Sequence, residues 1–212
     1  MSKYYPIFVD LQDKPVLVVG GGTIAFRKVS TLLDHGALVK IVSPCLIPQL
    51  EILVDNERCT WVKKEYSLND IGNAVLIFSC TDLEEVNAEV ASDAKDNLRH
   101  INVVDDPDKC SFIVPSIMER GDLTIAVSTA GSSPIVARQV RAELETMYGD
   151  EMAEYLSLLK SWRADAKKSL PLNKREKFWQ KATDGEVLSL IKAKRLNEAE
   201  EVIAGCFRSL LE

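Results

Sequence analysis

The segment Pro15-Val-Leu-Val-Val-Gly-Gly-Gly-Thr-Ile-Ala-Phe-Arg-Lys28 constrains the fold more than any other stretch of the chain. Pro15 to Val19 is an apolar run without polar alternation, which predicts a strand buried on both faces. Three glycines follow. Apolar residues then recur at helical spacing (Ile24, Ala25, Val29, Leu32, Leu33) until Gly36, a C-terminal stop. Gly20, Gly22 and Ala25 fit G-x-G-x-x-G/A. In that pattern the first glycine permits a tight turn and the second lets backbone amides approach a pyrophosphate. The small third residue lets the helix lie close to the strand. The helix N-terminus adds unpaired N–H groups and partial positive charge. Strand, turn and helix stand in the order this mechanism needs, so the segment predicts dinucleotide binding rather than an ordinary glycine turn.

A second strand, Leu38 to Val42, ends in Ser43-Pro44-Cys45. The acidic residue that commonly holds the adenosine ribose is missing there, and no arginine favours a 2′-phosphate. The adenosine end is therefore expected to rest on backbone and small side chains at Ser43, Pro44 and Cys45. The cofactor expected is NAD.

The rest of the first half alternates. Apolar runs predict strands at 5–10, 59–63, 75–80 and 100–104, with helices over 47–54 and 83–98. This βαβα order predicts a Rossmann-like, doubly wound parallel sheet of the α/β class. Ligands bind such sheets beyond the carboxyl ends of the strands, where Gly20, Gly22, Thr23, Ile24, Ser43, Thr81, Asp82 and Asp105 all fall. After residue 110 the pattern changes. Apolar β runs at 111–118 and 123–128 are joined by a hairpin turn, Glu119-Arg120-Gly121-Asp122. A small-residue loop follows, with Ser133 as a helix cap and Pro134 at the first helical position. That helix runs to Met147, and further helices are predicted at 150–168, 173–183, 185–194 and 197–211. Three parts are expected: a nucleotide domain over 1–113, a β-hairpin and helix segment over 114–147, and a small all-helical domain over 148–212.

No run approaches the ~20 apolar residues of a membrane span, and the first residues carry no secretory apolar region. The five cysteines are odd in number, widely spaced and free of C-x-x-C pairs, which suits neither a disulfide framework nor a zinc site. A cytoplasmic chain without a membrane partner or a resident metal is expected. Its net charge of −6 argues against nonspecific nucleic-acid binding. The charge is uneven, with 12 Lys and Arg against 10 Asp and Glu from residue 151 onward, and 14 against 22 before it. Eight basic residues lie between Lys160 and Lys181, facing only Asp165 and Glu176. Such a run is either a solvated helical face or a landing site for a polyanion.

Few groups can move a proton. His35 sits near the end of the first helix, and His100 precedes a strand on the side away from the crevice. No tyrosine begins a Tyr-x-x-x-Lys pair. Asp105 remains, at a strand end beside Asn102, followed by Asp106. Two adjacent carboxylates can raise one pKa, which suits a base, although an aspartate before Pro107 is also an ordinary turn residue. Cys110 has no neighbouring base in the sequence to favour a thiolate.

Six blocks in order carry a resemblance over essentially the whole chain. They are Pro6-Ile-Phe, Gly20-Gly-Gly-Thr-Ile-Ala25 with Arg27-Lys28, Thr81-Asp82 with Val86-Asn87, Asn102-Val-Val-Asp105 with Pro107, Ser111-Phe-Ile-Val-Pro-Ser-Ile117, and Ala126-Val-Ser-Thr-Ala-Gly-Ser-Ser-Pro134. The chain resembles the bifunctional precorrin-2 dehydrogenase/sirohydrochlorin ferrochelatase family, including the N-terminal module of siroheme synthase. The resemblance implies NAD-linked oxidation of precorrin-2 to sirohydrochlorin and, where the second activity is present, insertion of ferrous iron to give siroheme. It implies a homodimer in which both chains shape the substrate clefts, with the segment around 114–146 at the interface. The family's catalytic aspartate falls on Asp105, its pyrophosphate contacts on Gly22, Thr23 and Ile24, and further cofactor contacts near Pro44, Cys45 and Thr81. Asn102, Ser116, Thr129, Ser132 and Arg138 are the expected substrate contacts. In the small loop Thr129-Ala130 replaces the family's Ser-Gly. The transmethylase half of the large siroheme synthases has no counterpart, so precorrin-2 is expected from another protein. Two other readings stay open: an NAD-sensing regulatory domain without turnover, and a dehydrogenase working with a separate chelatase.

Overall fold

Val16, Leu17, Val18 and Val19 are each at most 2% exposed, because β1 (Pro15–Val19) is the middle strand of a five-stranded sheet. The computed structural model describes residues 4–211. They fall into two compact units that divide between Val114 and Pro115.

In the first unit β1 pairs in parallel with β2 (Leu38–Val42) on one side and β4 (Leu76–Ser79) on the other. β3 (Thr60–Val62) and β5 (His100–Val103) form the edges. The order β3-β2-β1-β4-β5 reverses direction between β1 and β4, and that switch point is where a doubly wound sheet opens a crevice. The two faces follow from strand alternation. Val16 and Val18 face α1 (Thr23–Asp34) and α2 (Pro48–Asp55), burying Ala25, Val29, Leu32 and Leu50. Leu17 and Val19 face α3 (Glu84–Asp96), where Val90 and Ala94 are buried. Each such Val or Leu side chain contributes about 1.5–3 kcal/mol by leaving water.

Two expectations for this unit are corrected. Tyr5 to Asp10 forms no strand; Tyr5, Ile7 and Phe8 are 85%, 65% and 76% exposed. An apolar run becomes a strand only where a neighbouring strand supplies ladder partners, and this segment has none among the described residues. Residues 111–115 are likewise not strand. Ser111 instead returns to β5, its N–H donating to Ile101 O (2.9 Å) and its Oγ accepting from Ile101 N–H (2.8 Å). The Phe112 ring meets Phe78 edge-on at 5.4 Å.

The second unit opens with a hairpin of β6 (Ser116–Arg120) and β7 (Leu123–Val127). The turn is Gly121-Asp122, two residues rather than the four expected. Gly121 has φ +57°, and a Cβ there would stand 2.9 Å from the Cβ of Ala153, so glycine is needed on both counts. α4 (Pro134–Met147) follows, with Ser133 Oγ accepting from Val136 N–H at 3.3 Å. The single helix expected over 150–168 is two, α5 (Glu151–Ser161) and α6 (Arg163–Ser169), meeting at Trp162, whose ψ of −8° departs from helical geometry. Its indole packs with Phe207 (5.3 Å) and Phe178 (6.4 Å) in the core of the helices, and this tertiary packing coincides with the bend. α7 (Leu172–Ala182), α8 (Glu186–Lys192) and α9 (Leu196–Leu211) complete that core, which centres on the fully buried Phe178. No helix among the described residues is long and apolar enough to cross a membrane.

Candidate functional site

The glycine turn after β1 is clasped from both sides. Gly20, at φ +117°, carries its missing Cβ toward Cys80 O at 2.5 Å, so the chain leaving β4 lies directly against it. Gly21 does the same toward the chain leaving β2. A Cβ there would sit 2.0 Å from Cys45 O and 2.8 Å from Ser43 Oγ, and Gly21 O accepts from Ile47 N–H at 2.9 Å. The fingerprint spacing leaves this middle glycine unspecified, so its packing role was not visible in sequence. Gly22 differs from both: it is the N-cap of α1, no atom lies within 4 Å of its Cβ position, and no side chain caps the helix. The first amides of α1, at Thr23 and Ile24, therefore stand at an uncapped helix N-terminus. An anionic diphosphate fits that opening. The residues present thus suit the nucleotide that the fingerprint implies.

The adenosine side is built less by side chains than expected. Ser43 is buried and its hydroxyl donates to Cys45 O (2.8 Å), so it shapes the loop instead of presenting Oγ. The Trp61 indole on β3 donates to Ser43 O (2.9 Å) and fixes the same loop. Pro44 and Cys45 are exposed. Across the switch point, Thr81 Oγ1 accepts from Leu83 N–H (2.9 Å), and Asn87 on α3 donates to Thr81 O (3.0 Å) while accepting from Ser79 Oγ (2.6 Å). Asn87 is thus the buried anchor of the Thr81-Asp82 loop, and Asp82 is exposed. Beneath these strand ends the Lys28 amine lies over the Phe78 ring at 5.6 Å, its pKa pulled down by burial. Burial pushes the Cys80 thiol up to about 12, which leaves it protonated and unreactive.

Asp105 stands exposed on the turn after β5, at φ +59°, a left-handed conformation that aspartate tolerates better than most residues. A thiol holds this turn from inside. Cys110 Sγ accepts from Val103 N–H (3.1 Å) and lies 3.2 Å from both Val103 O and Asp106 O; Asn102 donates to it at 3.5 Å and to Phe112 O at 3.1 Å. Burial raises the Cys110 pKa, so it serves as a neutral clamp. The expected pairing of two carboxylates is not what the turn contains. Asp106 is ion-paired to Lys109, accepts from its backbone N–H at 3.3 Å and is held below the usual carboxylate range mainly by that side chain. Asp105 alone remains available. His100 opens β5 at the opposite end of the strand, and His35 Nδ1 lies 2.8 Å from Thr31 O at the end of α1, so neither imidazole reaches the strand-end crevice.

The remaining expected residues belong to the second unit. Thr129 Oγ1 donates to Ser133 O (3.0 Å) and accepts from Ser133 N–H (3.1 Å), and Ser132 N–H donates to Thr129 O (2.9 Å). Thr129 therefore ties the loop that starts α4, while Ser132 and Arg138 are exposed on and just after it. Ala130 occupies φ +51°, the conformation that glycine would take without strain. Ser116 begins β6 and is half-buried. No cluster of three or more His, Cys, Asp or Glu among the described residues could hold a metal ion.

Comparison with known proteins agrees with this geometry. The model described as "Putative NAD(P)-binding" matches residues 7–116, the sirohaem biosynthesis protein central model 120–147, and the sirohaem synthase dimerisation region 152–205. The siroheme synthase of Zymomonas mobilis is 37% identical over 95% of this chain, and that of Mannheimia succiniciproducens 38% over 93%. The chain spans 43% and 42% of their respective lengths. The solved structure of SirC, a precorrin-2 dehydrogenase, superposes with a TM-score of 0.80 at 24% identity, covering 95% of this chain and all of the other, which shows a shared fold. With the uncapped glycine turn at the switch point of a five-stranded parallel sheet, the chain belongs to the putative NAD(P)-binding family, and its later segments match the sirohaem central and dimerisation models.

Proposed function

We propose that this chain uses NAD to oxidise precorrin-2 to sirohydrochlorin in the cytoplasm. The observation that carries the reading is Asp105, the carboxylate left unpaired on a turn at the carboxyl end of β5, next in the sheet to the switch-point strand β4. Oxidation of the macrocycle removes a hydride and a proton. Bound NAD supplies the hydride acceptor. Gly22 and the first amides of α1 hold its diphosphate, and the Ser43–Cys45 loop bounds its adenosine. Asp105 accepts the proton, and Cys110 keeps the turn that presents it. The lack of arginine after β2 supports NAD over NADP. Free cysteines throughout suit a reducing compartment.

The loop residues Thr129 and Ser132, together with Ser116 and Arg138, are proposed to shape the tetrapyrrole's seat in a homodimer. Exposed apolar residues along α4 support such an interface: Ile135 is 60% and Met147 62% exposed, with Val136 and Val140 between them. The test is anaerobic: purified chain, precorrin-2 and NAD, with sirohydrochlorin followed by absorbance. Asp105→Asn, which keeps the left-handed turn, should lower the rate roughly 10²–10⁴-fold and leave NAD affinity unchanged. If the unmutated chain binds NAD but the spectrum never changes, an NAD-sensing domain replaces the enzyme. Ferrous iron added to the same cuvette then tests chelation, through siroheme formation above a protein-free control.

A further inference from the structure

The basic run of the second unit is not one solvated face. Lys160 on α5, Arg163 and Lys167 on α6, and Arg175 on α7 converge on a groove of about 970 Å3, whereas Lys168, Lys174, Lys177 and Lys181 do not line it. On α6, positions 163 and 167 follow the i, i+4 spacing that brings side chains to one stripe, and Lys160 joins them from the end of α5. The floor is apolar, with Leu156, Leu159 and the Trp179 ring. Its size lies at the upper end of that of small-molecule sites.

The cations differ in how they are held. Arg175 is fixed, with Nε donating to Leu170 O and Nη2 to Lys167 O, both at 2.6 Å. Lys160 pairs with Asp122 at 2.8 Å on the rim. Arg163 and Lys167 have no acidic partner among the described residues. Four cations and one carboxylate around an aromatic and aliphatic floor suit a ligand that is flat and apolar at its centre and carboxylated at its edge. A small hydrophilic anion would leave the floor unused, and an apolar ligand would leave the cations unpaired. In a chain of net charge −6, such local convergence is what allows a polyanion to dock at all.

We propose that this groove binds a polycarboxylated tetrapyrrole, with the ring against Trp179, Leu156 and Leu159 and the carboxylates on Arg163, Lys167 and Arg175. The choice of tetrapyrrole rests on the substrate class proposed above. The groove itself is built wholly from the second unit.

Uroporphyrin, a stable polycarboxylated porphyrin, serves as the probe and is titrated into the full chain with tryptophan quenching as readout. The expected result is saturable quenching that Trp179→Phe removes. Arg163→Glu with Lys167→Glu should weaken binding at least tenfold, and the matching Gln pair by less, with thermal midpoint and NAD affinity unchanged. Equal binding by the Glu pair overturns the proposal. So does displacement by citrate at similar concentration, which would mark a plain anion surface. Sedimentation of the Glu pair as a smaller species with unchanged porphyrin binding also overturns it, since a second copy would then occupy the groove. The two readings fail separately. A chain that does not oxidise precorrin-2 but binds porphyrin through these residues loses only the enzymatic reading. An active chain whose quenching ignores the groove charges loses only the groove.

Discussion

Gly21 and Gly22 are adjacent, yet the structure predicts opposite consequences for replacing them with alanine. At Gly22 the backbone is φ −93°, ψ −170°, which any residue adopts, and the space around its Cβ is open. Alanine is a poorer N-cap than glycine by about 0.5–1 kcal/mol. It also restricts the unfolded chain, which returns about 0.4–1 kcal/mol. The two terms cancel to within about 0.5 kcal/mol, a shift of roughly 1–2 °C for a chain of this size. The new methyl nevertheless stands where the diphosphate must approach the first amides of α1, so NAD affinity should fall at least tenfold. At Gly21 the methyl meets Cys45 O at 2.0 Å, a backbone atom that cannot rotate away. Overpacking of that kind costs about 1–3 kcal/mol. Gly21→Ala should therefore lose stability and NAD affinity together, because the Ser43–Cys45 loop is displaced. Thermal unfolding and calorimetric NAD titration of both variants provide the assay. A Gly22→Ala protein that binds NAD like the unmutated chain refutes the diphosphate placement, and a fully stable Gly21→Ala protein refutes the packing account.

Three further outcomes are expected. Cys110→Ala leaves Val103 N–H without its partner, at a cost of about 1–3 kcal/mol, and should reduce kcat for precorrin-2 while leaving KM for NAD unchanged. Cys110→Ser, which can remake the bonds, should recover most of that loss; equal rates for the Ala and Ser variants would exclude a positioning role. Ala130→Gly relieves the left-handed alanine and should raise the urea midpoint by an amount equivalent to about 0.5 kcal/mol, the strain removed less the entropy of the added glycine. At Asp70 burial acts to raise the pKa, but Lys64 Nζ (2.8 Å) and the Ser67 N–H (2.9 Å) and Oγ (3.1 Å) outweigh it and hold the carboxyl low. A folded value below the unfolded one, near ~3.9, stabilises at neutral pH, and the contribution disappears as pH falls through the folded value. Asp70→Asn should thus be less stable than the parent at pH 7, with the gap closing below about pH 4 in urea titrations. A gap of constant size across that range would contradict the ion-pair account.

The elements of the nucleotide unit were legible because their causes are local. Pro15 to Val19 is uniformly apolar, α1 repeats at helical spacing, and the glycines sit between them, so strand, turn and helix could be placed without knowing any long-range contact. The ends of β4 and β5 followed, and with them the positions of Thr81 and Asp105. Segments whose state depends on a distant partner could not be read this way. Tyr5 to Asp10 has a strand's composition but no ladder partner, and residues 111–115 are drawn to β5 through Ser111. The bend at Trp162 coincides with the contact of its ring with Phe207, 45 positions along the chain, which no local pattern records.

The sequence by itself determined that a nucleotide could bind, since the fingerprint depends on residues within one strand, one turn and one helix. Only the tertiary structure decided how each candidate side chain is used. Ser43 turns inward to Cys45, Asp106 turns to Lys109 and leaves Asp105 alone, Cys110 clamps the turn from seven residues past the end of β5, and half of the basic run converges on one groove. Periodicity fixes which way a local segment faces. Hydrogen bonds, ion pairs and grooves arise between segments, and their partners are set by how the strands and helices come together in space.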